Sequence, residues 1–256
     1  MIKAIFFDVD GTLVSHAKKE VCTSARKALK KLREQGIKCI MCTGRHILEI
    51  DELPARDVEF DAYITLVGQL SLDKERKPFA AYPFSEEAAL RFVKLFDEMR
   101  YPMQLVEEDG MYINFINRRV EEVQAEISTS LPPLGSYTGN KFYQVVCYVD
   151  TAEEAEISKL LEDCYVTRWN KRAIDILPGG GGKALGMGEY LKREGIDRSE
   201  TMAFGDGEND ADMLEFAGIG VAMGNAADKA KAAADYVTDH IDNDGVEKAL
   251  IHFGLI

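Results

Sequence analysis

The chain has 256 residues, with 31 Lys and Arg against 44 Asp and Glu and a formal charge of −13 at pH 7. That length builds one large domain or two smaller ones, and 46% hydrophobic with 29% charged residues is the balance of a soluble globular chain, which excludes disorder, collagen and coiled coil as the main architecture. The acidic excess repels phosphate backbones and anionic lipid, so neither nucleic acid nor a membrane is an expected partner.

A small phosphorylated ligand stays open, because local cations or a bound metal outweigh a distant field. No run approaches the ~20 apolar residues of a membrane helix, and the opening Met1–Phe7 run is too short for a signal peptide. Cys22, Cys39, Cys42, Cys147 and Cys164 are odd in number and scattered, the usage of a reducing, cytoplasmic protein. Cys39 and Cys42 form a C-x-x-C within a predicted strand, where they face opposite ways and serve as small buried side chains.

In chain order, Lys3–Phe7 is a continuous apolar run, the mark of a strand covered on both faces. Ala25, Ala28, Leu29 and Leu32 set a helix over 23–35, with Thr23 as N-cap and Gly36 as stop. Strands follow at 37–42 and 62–66. The middle changes character: helices over 84–99 and 151–162, and strands over 111–116, 142–149 and 171–177. Alternation then returns, with a helix over 183–194, a strand over 201–204, a helix over 209–217, a strand over 219–222, a helix near 226–234 and a strand at 236–238. This order predicts an α/β fold, a Rossmann-like parallel-sheet core with helices on both faces, carrying an inserted α+β domain. The core is expected at 1–82 and 179–256, and the insert at 83–178.

Asp8-Val-Asp10-Gly-Thr12 places a carboxylate at the end of the first strand and a second two residues on. Phe204-Gly-Asp206-Gly-Glu-Asn209-Asp210 repeats the pattern. If the two strands are neighbours, Asp8, Asp10, Asp206 and Asp210 converge, and two like charges 5 Å apart repel by roughly 3 kcal/mol at an effective dielectric of 20. Such a cluster calls for a proton or a hard cation, and few carboxylates with room for water and phosphate suit Mg²⁺. Thr43-Gly44-Arg45 ends the second strand on the same rim, offering a hydroxyl, backbone N–H groups and a guanidinium to phosphate oxygens. Pro178-Gly-Gly-Gly-Gly-Lys183 fails the Walker pattern, since Leu177 and Ala184 stand where glycine and Ser/Thr are required; it reads as an inter-domain joint ahead of Lys183. Arg168, Lys171 and Arg172 beside Trp169 form either a solvated strand edge around a packed indole or a reader of a second phosphate.

Together these segments, in this order, resemble the haloacid dehalogenase (HAD) superfamily, and their layout looks most like the Cof-type phosphatases with a large α/β cap. The resemblance implies Asp8 as nucleophile and Asp10 as general acid/base. It implies Mg²⁺ on Asp8, the backbone carbonyl of Asp10, and Asp206. Thr43, Gly44, Lys183 and Asn209 would bind phosphate, with Arg45 and Asp210 in support. Val67-Gly68 departs from the Asn-Gly of many relatives and removes any polar contact from position 67. The implied activity is a Mg²⁺-dependent phosphatase acting on a small phosphorylated metabolite. A phosphomannomutase-type mutase and a non-catalytic metabolite-binding protein are the alternatives.

Overall fold

The computed structural model describes residues 1–127 and 129–256. It divides into two compact units, Met1–Ala80 with Gly182–Ile256, and Ala81–Gly181. In chain order the first unit opens with β1 (Ala4–Phe7), a small hairpin β2 (Val14–Ser15) and β3 (Glu20–Val21), α1 (Thr23–Glu34), β4 (Lys38–Cys42), α2 (Ile47–Ile50), β5 (Ala62–Thr65), β6 (Leu70–Asp73) and β7 (Pro78–Ala81). The second unit holds α3 (Glu86–Asp97), β8 (Met103–Glu107), β9 (Met111–Ile113), α4 (Arg118–Glu126), β10 (Phe142–Cys147), α5 (Thr151–Glu156), β11 (Cys164–Asn170) and β12 (Ala173–Pro178). The first unit resumes with α6 (Lys183–Glu194), β13 (Thr201–Gly205), α7 (Ala211–Phe216), β14 (Ile219–Ala222), α8 (Asp228–Ala233), β15 (Tyr236–Val237) and α9 (Gly245–His252).

The core sheet has the order β15-β14-β13-β1-β4-β5-β6-β7. It is parallel from β15 to β5, and β6 turns back antiparallel. All four residues of β1 are buried, as a strand covered on both faces must be. Phe7 stacks on Phe204 at 5.2 Å and Phe6 meets Tyr190 of α6 edge-on at 5.8 Å. Helix α1 buries Ala25, Ala28, Leu29 and Leu32, the stripe its spacing predicts. Its N-cap is Cys22 rather than Thr23, without a side-chain cap bond.

The second unit carries a five-stranded sheet, β11-β12-β10-β8-β9, with the paired strands antiparallel. Phe92, Leu95 and Phe96 of α3 pack with Met103, Leu105, Val145, Ile174 and Ile176 in its core. Helix α4 escapes the sequence pattern because it buries only Val120 and Val123 as apolar residues, too few to show a period. Among the described residues, no helix is long and apolar enough to cross a membrane.

Candidate active site

Strand β1 has β4 on one side and β13 on the other, both parallel to it. The crossovers therefore part there, and the carboxyl end of such a strand opens the crevice in which α/β sheets take ligands. Asp8 stands at that end. Its N–H donates to the Phe204 carbonyl at 2.9 Å, which extends the ladder by one residue and sets the carboxylate beside Asp206. Gly11, at φ +86°, turns the chain across β13, and a Cβ there would lie 2.2 Å from Asp206 Oδ2. No other residue allows both the turn and the approach.

Lys183, the first residue of α6, is fully buried. Its ammonium donates to Asp8 Oδ1 at 2.6 Å and to Asp210 Oδ1 at 2.5 Å. The other Asp210 oxygen accepts the backbone N–H groups of Asp206 and Gly207, both at 2.8 Å. Asp206 accepts from the Thr12 hydroxyl at 3.1 Å and from Asn225 Nδ2 at 3.2 Å. Asn225 also donates to the Gly11 carbonyl at 2.8 Å and accepts from the Ile241 N–H at 3.0 Å. Asp212 Oδ2 accepts the Ala184 N–H at 3.0 Å, capping α6 where its own N-cap, Gly182, has no side chain to do so.

Burial, and then the Asp210 charge, push the Asp8 carboxyl well above its usual range despite the nearby Lys183. The same two causes raise Asp206 to about 7. Burial works against the Lys183 ammonium, but Asp210 and Asp8 outweigh it and hold the proton more tightly than usual. Ligand oxygens of Asp8, Asp206 and Asp210 all lie within 4.8 Å of one another. Three carboxylates facing one ammonium leave an excess of negative charge, and an oxygen-only donor set is what Mg²⁺ takes. The residues fit that ion. Asp210 is bound by the Lys183 ammonium and two backbone N–H groups, whereas Asp206 meets the neutral donors of Thr12 and Asn225 and Asp8 meets Lys183 through Oδ1, so Asp8 and Asp206 are the better placed to offer it an oxygen.

Asp10 does not join this cluster. Both its oxygens are taken by Arg45, Nε to Oδ2 at 2.6 Å and Nη2 to Oδ1 at 2.9 Å. Three of the four expected carboxylates thus lie within 4.8 Å of one another, while Asp10 is bound by the guanidinium and still raises Asp8 and Asp206 through its charge. Thr43 is buried, and its Oγ1 accepts the Arg45 N–H at 3.1 Å. Gly44 is half-buried between them, and Asn209 is half-buried in the 3-10 turn Glu208–Asp210. Position 67 has no polar side chain to offer, but its backbone is unusual. Leu66 and Val67 have φ of 51° and 52°, a left-handed conformation costing roughly 1–2 kcal/mol for an L-residue.

In the second unit, Arg168 pairs with Glu154, and Arg172 pairs with Glu122 and Glu126. The Trp169 indole donates to Asp175 at 2.9 Å. Intramolecular acids hold both arginines in this structure, an arrangement that favours the strand-edge reading of the cluster.

A family model described as haloacid dehalogenase-like hydrolase matches residues 5–250. The chain belongs to this family. Among solved structures it is similar to the HAD subclass IIB sugar phosphatase BT4131, with 34% identity, 99% of this chain and 100% of that one covered, and a TM-score of 0.89. It is equally similar to the phosphatase BT1666 of Bacteroides thetaiotaomicron, at 34% identity, 100% and 96% coverage and a TM-score of 0.90. The pyridoxal phosphate phosphatase YbhA of Escherichia coli (strain K12) is 28% identical, over 95% of this chain and 96% of its own. Within the family, this HAD chain stands among the Cof-type phosphatases of subclass IIB.

Three contributors escaped the sequence reading: Thr12, Asn225 and Asp212. Asn225 follows β14 as Asp206 follows β13, so the rule that found the acids, polar residues beyond the carboxyl ends of parallel strands, also finds it. Asp212 has no such signal, because it caps a helix distant in sequence.

Proposed function

We propose that this HAD phosphatase is Mg²⁺-dependent and hydrolyses a small phosphorylated metabolite, a sugar phosphate or a phosphorylated cofactor, through transient phosphorylation of Asp8. The observation that carries the reading is the meeting of Asp8, Lys183, Asp206 and Asp210 at one strand end, with an acidic excess suited to a divalent cation. Asp8, Asp206 and the backbone carbonyl of Asp10 would hold Mg²⁺, with Asp210 behind them. When bound, the ion neutralises charge on the phosphoryl oxygens.

Asp8 attacks phosphorus as the bond to the leaving alcohol breaks, and Lys183 offsets charge on the transferring group. Thr43, Gly44 and Asn209 bind its oxygens. Asp10 gives a proton to the departing alkoxide. It then takes one from the water that attacks phosphorus, and the bond to Asp8 breaks with release of inorganic phosphate. Arg45 orients Asp10 by binding both oxygens of its carboxylate, the form that takes the proton from water; for the first step one of these contacts must yield so that Asp10 can carry the proton it donates. The substrate classes follow those named for BT4131 and YbhA, a sugar phosphatase and a pyridoxal phosphate phosphatase. A mutase needs a second phosphate site, and the second unit's Arg168 and Arg172 are already paired with acids.

The test is a Mg²⁺ screen against sugar phosphates, nucleotides, FMN and pyridoxal phosphate, ranked by kcat/KM. Inorganic phosphate should appear, and both EDTA and Asp8→Asn should abolish it. Activity that survives both treatments refutes the proposal, and labelled phosphate moving within a sugar replaces it with mutase chemistry.

A further inference from the structure

Leu66, Val67 and Gly68 are consecutive residues of positive φ, at 51°, 52° and 91°. Gly68 is the only one of the three that adopts this conformation freely. A buried, β-branched valine there is an outlier, and such a conformation persists only where its surroundings enforce it. On one side, the Leu66 N–H donates to the Arg45 carbonyl at 3.2 Å and the Val67 N–H to the Thr43 carbonyl at 3.1 Å. On the other side, the turn lies against the start of α6. A Cβ on Gly68 would stand 2.0 Å from the Gly182 carbonyl oxygen and 3.3 Å from Lys183 Cα. One helical turn on, a Cβ on Gly186 would stand 3.3 Å from Gly68 Cα. Backbone thus meets backbone between the two segments that carry Thr43 and Lys183.

We propose that the left-handed turn Leu66–Gly68 is a positioning element of the site. It sets the spacing between the Thr43–Arg45 loop and the amino end of the Lys183 helix, with Gly68 as the contact and Val67 serving through its backbone. This rests on the reading of Thr43 and Lys183 as phosphate-binding groups. Curling left-handed aims the Leu66 and Val67 N–H groups at the loop's carbonyls while Gly68 faces the helix. A side chain at position 68 pushes against a backbone carbonyl, which cannot swing aside as a flexible side chain does. The helix start must then move, and Lys183 moves with it off Asp8 and Asp210.

The test uses the full chain with Mg²⁺ and p-nitrophenyl phosphate. Gly68→Ala should lower kcat about 100-fold, the cost of misplacing a catalytic group by about 1 Å, with KM changing less and the far-ultraviolet circular dichroism preserved. Val67→Pro, whose φ is fixed near −65° and which lacks the N–H, should lose a similar factor. Val67→Asn, which tolerates the left-handed region, should keep at least a third of kcat, although burying its amide at this fully enclosed position costs stability. The proposal is overturned if Gly68→Ala keeps kcat within three-fold of the parent, or if Val67→Asn loses more than three-fold. If the first two variants do not fold, Val67→Asn decides by the same threshold. Should the parent chain hydrolyse no phosphate ester, the site reading fails separately. The turn is then judged by hydrogen exchange of the Leu66, Val67 and Ala184 amides in Gly68→Ala, where at least ten-fold faster exchange supports it and unchanged rates reject it.

Discussion

Lys183 and Arg172 are both cations set between two carboxylates, one in each compact unit. Lys183 lies between Asp8 and Asp210, with side-chain exposures of 0%, 9% and 1%. Arg172 lies between Glu122 and Glu126, with exposures of 21%, 40% and 46%. Water screens the second group, and exposed pairs of that kind contribute little. The first group has surrendered its hydration, which even a good ion pair repays only in part. Folding alone gives no reason to bury such a cluster, whereas phosphoryl transfer does: it needs charges that are already oriented and dry. Burial, more than the presence of charge, separates the site from the surface.

Removing the proposed nucleophile should strain that contrast most. Asp8→Asn is expected to lower kcat by at least ~10³-fold, measured as phosphate release, and to abolish acid-stable labelling of the protein by a radioactive substrate. A wild-type turnover in this variant breaks the assignment. Next comes Lys183→Met, which leaves Asp8 and Asp210 buried without their cation. Urea unfolding in EDTA should show a loss of about 3–5 kcal/mol, together with lost activity. A loss below 1 kcal/mol would mean that the buried trio behaves like the exposed one.

Chelation and pH sharpen the comparison further. Asp206 is raised to about 7 in the folded chain, whereas an unfolded aspartate releases its proton near ~4. The folded state therefore holds an extra proton between these values. Its stabilising contribution is complete below ~4 and is lost as pH rises through about 7. In EDTA, Tm of the parent chain should fall from pH 5 to pH 8 relative to Asp206→Asn. With saturating Mg²⁺ this relative fall should vanish, because the cation takes the proton's place. Parallel Tm profiles for the two proteins in EDTA would show that Asp206 does not carry the excess charge.

Much of this was legible in the sequence because the chemistry sits where simple rules look. Parallel strands ending in Asp8, Thr43 and Asp206 declare themselves through apolar runs followed by polar residues, and α1 through its buried stripe. Other features depend on tertiary contacts. Nothing local tells that Arg45 binds both oxygens of Asp10, that Asp212 caps a helix begun 29 residues earlier at Lys183, or that Val67 is held left-handed. Position 67 shows the limit best. The sequence reading registered only a missing polar side chain, because it reads side chains, while the structure exposes a demand on the backbone.

The smallest expected effect lies in the second unit. Arg172→Ala should leave Tm within ~2 °C of the parent, since both partners are exposed and rehydrate when released. Its kcat/KM on the best substrate should stay within two-fold, because the guanidinium is occupied by Glu122 and Glu126 and not reserved for a phosphate. The measurement gains force when made with substrates carrying one and two phosphates. A selective loss on the doubly phosphorylated compound would show that the arginine leaves its glutamates to meet substrate, and the contrast between a functional buried cation and a structural exposed one would fail on its second half.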